Sequence, residues 1–215
     1  MIHRIGRPEY LDWLVRWKEK QIIKVVSGVR RCGKSTLFEM YRDYLSANGV
    51  EDSQFIVLNF EDIEFEFIDN YKILYRYIAE RLRPDKMNYI FLDEIQHVDE
   101  YEKAVDSLFL KENCDVYITG SNAYLLSSEY STYLSGRCVE IKMLPLSFAE
   151  FIDFHGFTIQ EVKSALGGTK KQAVDADGTH YELREIFDAY MRYGGMPGIA
   201  DVGLEQDKAL TLLDG

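Results

Sequence analysis

The 215-residue chain is long enough for one α/β domain of ordinary size with a small appendage, and its 47% hydrophobic and 28% charged residues are normal for a globular protein. No apolar run approaches the ~18–20 residues of a membrane span, and the opening MIHRIGRPEYLDWL lacks the apolar stretch of a secretory signal. A net charge of -11 argues against a general nucleic-acid coat, but residues 1–36 hold nine Lys/Arg against three acids, a net +6 that leaves -17 for the remainder.

That basic end has two readings: a setting for a polyphosphate ligand, or a solvated helix that happens to be basic. Cys32, Cys114 and Cys138 are scattered without disulfide or metal spacing, which fits a reducing cytoplasm. Cys114 and Cys138 adjoin apolar runs and read as core residues.

In chain order, Pro8 suits a first helical position, and Leu11, Leu14, Val15 and Trp17 follow at helical spacing. IIKVV (22–26) reads as a buried strand leading into a glycine-bearing turn. KSTLFEMYRDYLSANG (34–49) reads as a helix ended by Asn48 and Gly49. QFIVLNF (54–60) is a second strand, followed by the acidic connector EDIEFEFIDN and a helix over 69–83 closed by Pro84. NYIFLDE (88–94) is a third strand, apolar up to its carboxyl end. A helix over 99–112 precedes the fourth strand, CDVYITGSN (114–122), and a Ser-rich stretch precedes the fifth, 137–143. Alternating strands and helices predict a mainly parallel sheet covered on both faces.

After Pro145 the pattern changes to a short helix in LSFAEFIDFHG, a polar glycine-containing stretch to about residue 180, and helices in YELREIFDAYMRYGG and EQDKALTLLDG. The expected division is a core over 1–145 and a small helical lid, or the start of another module, over 146–215. The chain stops in a helix without a clear cap, so a continuation beyond Gly215 is expected.

The residues 28–35 match G-x-x-x-x-G-K-[ST] directly after a strand and at the opening of a helix. From ordinary residue frequencies a chance match in such a chain is on the order of one in a hundred, before that context is counted. Gly28 and Gly33 let the backbone of Val29, Arg30, Arg31 and Cys32 wrap close to phosphates, and the loop N–H groups with the helix N-terminus supply positive potential. Lys34 is expected to reach the β- and γ-phosphates, Ser35 to bind Mg²⁺, and Thr36 to touch the α-phosphate. Arg30 and Arg31 add charge, one of them with the alternative of facing solvent or a neighbouring subunit. Cys32 is a candidate for redox sensitivity.

Asp93 and Glu94 close four apolar residues, which places them at the carboxyl edge of the sheet where open α/β folds bind ligands. Asp93 is expected to hold Mg²⁺, mainly through water, and Glu94 to activate the attacking water. The strand–helix pair over 54–83 separates this strand from the loop strand, which predicts the ATPase strand order 5-1-4-3-2. The fourth strand then points at the γ-phosphate, so Ser121 and Asn122 are candidates for positioning water, or else simply a turn or cap. Arg137 is either an arginine finger, within the chain or between subunits, or a structural arginine. The segment 175–178 lacks an EF-hand ligand series and reads as a turn. The four histidines show no ligand spacing, and no Asn-Lys-x-Asp of the guanine-specific kind occurs.

Taken in order, GVRRCGKST, YIFLDEIQ, VYITGSNA, LSGRCVEIKMLPLSFAEF and YGGMP resemble a prokaryotic group of AAA-superfamily ATPases, over residues 4–200. The resemblance implies a three-layer P-loop core, binding of ATP with Mg²⁺, and a further C-terminal domain of winged-helix or nuclease-like character. With it come a possible homo-oligomer and a DNA or protein partner. Three functions compete at this point: an ATPase slow in isolation, an ATP-dependent switch with incidental hydrolysis, and a small-molecule kinase. Glu94 favours the first, because a pure switch has no need of a water-activating carboxylate.

Overall fold

The computed structural model describes residues 5–121, 136–163 and 168–196. They fall into two compact units, one of Arg7–Arg30 with Lys34–Met143, the other of residues 5–6, Arg31–Gly33 and the described residues from Leu144 onward.

The first unit opens with helix α1 (Pro8–Trp17), whose proline occupies the first turn and whose Tyr10 and Leu14 are buried. Strand β1 (Ile23–Gly28) is buried at every position and leads to α2 (Lys34–Ala47). Then come β2 (Phe55–Asn59), α3 (Tyr71–Ala79), β3 (Asn88–Asp93), α4 (Tyr101–Phe109), β4 (Cys114–Ser121) and β5 (Cys138–Met143). All five strands are parallel, in the order β2-β3-β4-β1-β5, which is the predicted order. Strand β4 therefore lies between the loop strand β1 and the acid-bearing strand β3.

The alternation of β3 explains its burial. Ile90 and Leu92 face a core with Leu74 and Ile78 of α3 and Val105 and Leu108 of α4. Phe91 on the other face stacks on Tyr117 at 4.9 Å and meets Phe38 of α2 edge-on at 5.2 Å. Each such ring contributes about 1.5–3 kcal/mol by leaving water. Helix α3 begins where the Asn70 side chain accepts from the N–H groups of Lys72 and Ile73, a strong cap.

A charge pair interrupts the apolar strands. Lys24 of β1 is 0% exposed and is paired with Asp115 of β4. Its ammonium also donates to the Lys20 carbonyl at 2.8 Å, while Asp115 accepts from the Tyr117 hydroxyl at 2.6 Å and from the Glu19 N–H at 2.8 Å. Burial holds the Lys24 ammonium below its ordinary pKa, and Asp115 opposes that fall.

The second unit corrects one expectation. Helix α5 (Phe148–Phe154) is present, started by a reciprocal cap between Ser147 and Glu150, and so is α6 (Leu183–Tyr193). Between them, however, the polar stretch forms an antiparallel sheet of β6 (Thr158–Lys163), β7 (Thr169–Val174) and β8 (His180–Glu182). Most positions of β6 and β7 face solvent and only Ala173 and Val174 are buried, so no alternation of apolar residues marks these strands. The segment at 175–178 is the turn expected, with Asp175 Oδ1 accepting from the Asp177 and Thr179 N–H groups. Gly195 packs so closely that a Cβ would lie 2.1 Å from the Leu146 carbonyl oxygen, which accounts for a glycine there. The helix expected near the end of the chain lies outside the described residues.

Replacing Asp115 by Asn removes the charge but keeps the shape, leaving Lys24 as an uncompensated buried cation. The expected loss is about 3–5 kcal/mol in urea denaturation, and a loss below about 1 kcal/mol contradicts the assigned role.

Candidate functional site

The site lies at the carboxyl edge of the parallel sheet. Gly28 ends β1 and Lys34 begins α2, and the turn between them uses left-handed backbone at Arg31 (φ 66°) and Gly33 (φ 100°). Gly33 adopts that conformation freely, whereas Arg31 carries a strain of order 1–3 kcal/mol, as functional turns often do. Lys34 is 3% exposed. Its ammonium lies 3.4 Å from the carbonyl oxygens of both Gly28 and Val29, and 3.0 Å from Glu94 Oε1.

On the β3 side the chain turns sharply at Glu94, in left-handed backbone (φ 53°, ψ 48°), before a short 3-10 turn at Ile95–His97. Thr119 of β4 holds that turn. Its hydroxyl oxygen accepts from the Glu94 N–H at 2.9 Å, and its proton goes to Asp93 Oδ1. The Ser35 hydroxyl lies near enough to the Asp93 carboxylate to favour its charged form. Burial pushes the Asp93 pKa above the usual carboxylate value, with Ser35 and Thr119 opposing the rise. For Glu94, burial raises the pKa, but the hydrogen bonds from Gln96, at 2.6 Å, and Lys34 outweigh it and hold the carboxyl below its ordinary value.

The structure thus brings Lys34, Ser35, Asp93 and Glu94 together. Ser35 and Asp93 offer adjacent oxygens, the hard donors a Mg²⁺ ion takes, and one carboxylate with phosphate and water oxygens is its usual environment. Among the described residues no group of three His, Cys, Asp or Glu side chains forms a protein cage for a metal. Thr36, next after Ser35 in the first turn of α2, is half-buried. Val29 and Arg31 are exposed, and Arg30 pairs with Glu61 at 2.8 Å. Cys32 is 0% exposed, which shields it from oxidants and weakens the redox reading. The Ser121 backbone lies opposite Gly28 in the β1–β4 register. Asn122 lies outside the described residues.

Arg137 is placed elsewhere. It precedes β5 at the amino edge of the sheet, with its carbonyl accepting from the Ile23 N–H at 2.8 Å. The β5 register runs from Cys138, opposite Ile23, to Met143, opposite Gly28. That puts Arg137 roughly 20 Å from the carboxyl edge at the ordinary rise per strand residue. Its guanidinium pairs with Asp106 of α4. These contacts remove Arg137 from the role of an arginine finger within the chain and make it a structural residue there.

Sequence reasoning missed Thr119 and Gln96. Thr119 was legible from parity: in the β3–β4 register Leu92 opposes Ile118, so the next position faces Asp93. Gln96 offered no pattern, because its contact depends on the left-handed turn at Glu94.

Thr119→Val removes a fully buried link between Asp93 and the Glu94 N–H. The expected cost is about 1–3 kcal/mol in urea denaturation, largely restored by Thr119→Ser, and an unchanged midpoint contradicts it.

The chain matches the family model described as AAA domain over residues 20–152. It is 37% identical over 214 residues to an uncharacterized protein of Haemophilus influenzae, covering 98% of this chain and 48% of that relative. It is 32% identical over 199 residues to the uncharacterized protein MJ1544 of Methanocaldococcus jannaschii, covering 90% and 40%. The chain therefore spans about half the length, or less, of these curated relatives. Among solved structures, its fold is similar to the Walker-type ATPase PABY2304 of Pyrococcus abyssi, with a TM-score of 0.59 and 15% identity, covering 97% of this chain and 71% of that one. It is also similar to Hsp104 in its closed state, with a TM-score of 0.58 and 15% identity, covering 97% and 42%. The chain belongs to the AAA domain family, with a P-loop α/β core.

Proposed function

We propose that this chain binds ATP with Mg²⁺ and hydrolyses it. The observation that carries the reading is the ion pair of 3.0 Å between Lys34 and Glu94, both almost withdrawn from water, beside the Ser35–Asp93 pair. Lys34 is held by one carboxylate and two carbonyl oxygens, a set of acceptors that a polyphosphate can replace. When Lys34 turns to phosphate oxygens, Glu94 loses its charged partner and its carboxylate becomes a stronger acceptor for a proton from water. Ser35 and Asp93 would hold the Mg²⁺ ion, which neutralises charge on the phosphates. The loop N–H groups and the start of α2 supply fixed positive potential for the transferred group.

The switch reading keeps one specific support. Glu94 is engaged twice, by Lys34 and by Gln96, and a base so engaged favours slow turnover in isolation. Segments present in the longer relatives, a second copy of the chain, or a DNA or protein partner would then raise it. A cytoplasmic setting suits an ATP-dependent protein whose three cysteines are scattered without disulfide spacing.

In a Mg-ATP turnover assay with equilibrium ATP binding, Glu94→Gln is expected to bind ATP while losing about 10²-fold or more in turnover. Lys34→Ala should lose most of the binding, and chelating Mg²⁺ should abolish turnover. Turnover unchanged in Glu94→Gln means that Glu94 is not the base, and the switch reading then replaces hydrolysis.

A further inference from the structure

Helices α3 and α4 lie side by side on the face of the sheet that also buries Ile90 and Leu92. Their amino ends are tied together through the backbone: the Asp99 N–H donates to the Asp69 carbonyl at 2.9 Å, and the Tyr71 N–H to the Asp99 carbonyl at 3.0 Å. Inward residues such as Leu74, Ile78, Val105 and Leu108 anchor both helices in the core. The groove left between their outer sides is therefore built on fixed elements. It is open, with a volume of about 550 Å³.

Its chemistry differs from that of the chain as a whole. Tyr71, Lys72, Tyr75 and Arg76 line it from α3 at one-turn spacing, and Lys103 faces them from α4. Lys103 stands 5.0 Å and Lys72 5.7 Å from the centre of the Tyr71 ring, and Lys111, two residues past α4, stands 6.0 Å from that of Tyr75. Glu80 is the one acid among the described lining residues. Lys103 shares its charge with Glu100, but among the described residues Lys72, Arg76 and Lys111 have no carboxylate partner. In a chain of net charge -11, three uncompensated cations thus surround two half-exposed tyrosine rings.

We propose that this groove binds single-stranded nucleic acid, with Lys72, Arg76 and Lys111 taking phosphates and the rings of Tyr71 and Tyr75 offering faces to bases. Cations interleaved with aromatic rings in an open groove are what a flexible polyanion with flat bases requires. An acidic peptide would use the cations but leave the rings without a matching partner. The net negative charge of the rest of the chain keeps such binding local to the groove and sensitive to salt. The site stands apart from the nucleotide reading and does not depend on it.

The test is fluorescence anisotropy of the whole chain with labelled oligo-dT of about 20 nucleotides, longer than one such site, started at about 50 mM salt. Three phosphate contacts predict a slope of log affinity against log salt of about -2. Lys72→Glu with Arg76→Glu should weaken binding at least about tenfold, and Tyr75→Leu at least about fivefold. The double variant, at two exposed positions, should keep the unfolding midpoint of the parent chain. Absence of salt-dependent binding, or binding indifferent to the double variant, overturns the proposal. It is equally overturned if poly-glutamate displaces the oligonucleotide with equal affinity and Tyr75→Leu changes neither, because the groove is then a site for acidic protein segments.

Discussion

Lys34 is a cation almost without access to water, and such a group is stable only where negative oxygens replace its hydration. The site is arranged around that requirement. Strand β4 separates β1 from β3, so about 10 Å lies between the strand that ends in Gly28 and the strand that ends in Asp93. Only a long side chain rooted just past the loop can cross the end of β4 and meet Glu94 at 3.0 Å. The ATPase strand order and the lysine are thus two parts of one device.

Two turns carry uncommon backbone. Arg31 and Glu94 occupy the left-handed region, where a side chain normally costs 1–2 kcal/mol. At Glu94 the compensation is visible: its N–H is satisfied by Thr119 and its carboxylate by Lys34 and Gln96. Asp93 and Glu94 are neighbours in sequence, yet their environments push their pKa values apart, Asp93 upward by burial and Glu94 downward by its partners. The Lys24–Asp115 pair carries a second set of buried charges between β1 and β4. It fixes the pairing of these strands, because a slip in register would strand both charges in the apolar interior.

Much of this was legible in the sequence because the phosphate-binding loop and the strand-end acids follow from strong local constraints. A glycine-rich turn between a buried strand and a helix has few other uses, and two acids after Tyr89, Ile90, Phe91 and Leu92 must emerge at a sheet edge. The length of 54–83 carried the strand order. What escaped had no local signature. The second unit's sheet is built from TIQEVK and TKKQAV, whose exposed polar faces give no alternation to read. Arg137 follows a glycine and begins a strand, a pattern that does not say which edge of the sheet it occupies. The parallel register with β1 decides that, and it faces away from the site. Asn122 illustrates a third case, in which the position lies outside the described residues.

The central claim is that the edge formed by residues 28–36 and 93–97 is where nucleotide phosphates bind and displace Glu94 from Lys34. Hydrogen exchange of backbone amides, with and without a non-hydrolysable ATP analogue and Mg²⁺, tests it most directly. The account predicts slowed exchange in 28–36, whose N–H groups would face phosphate, and altered exchange in 93–97 as the Glu94 turn loses its partner. Exchange that is unchanged in both segments while the analogue is bound would place the nucleotide elsewhere and contradict the account.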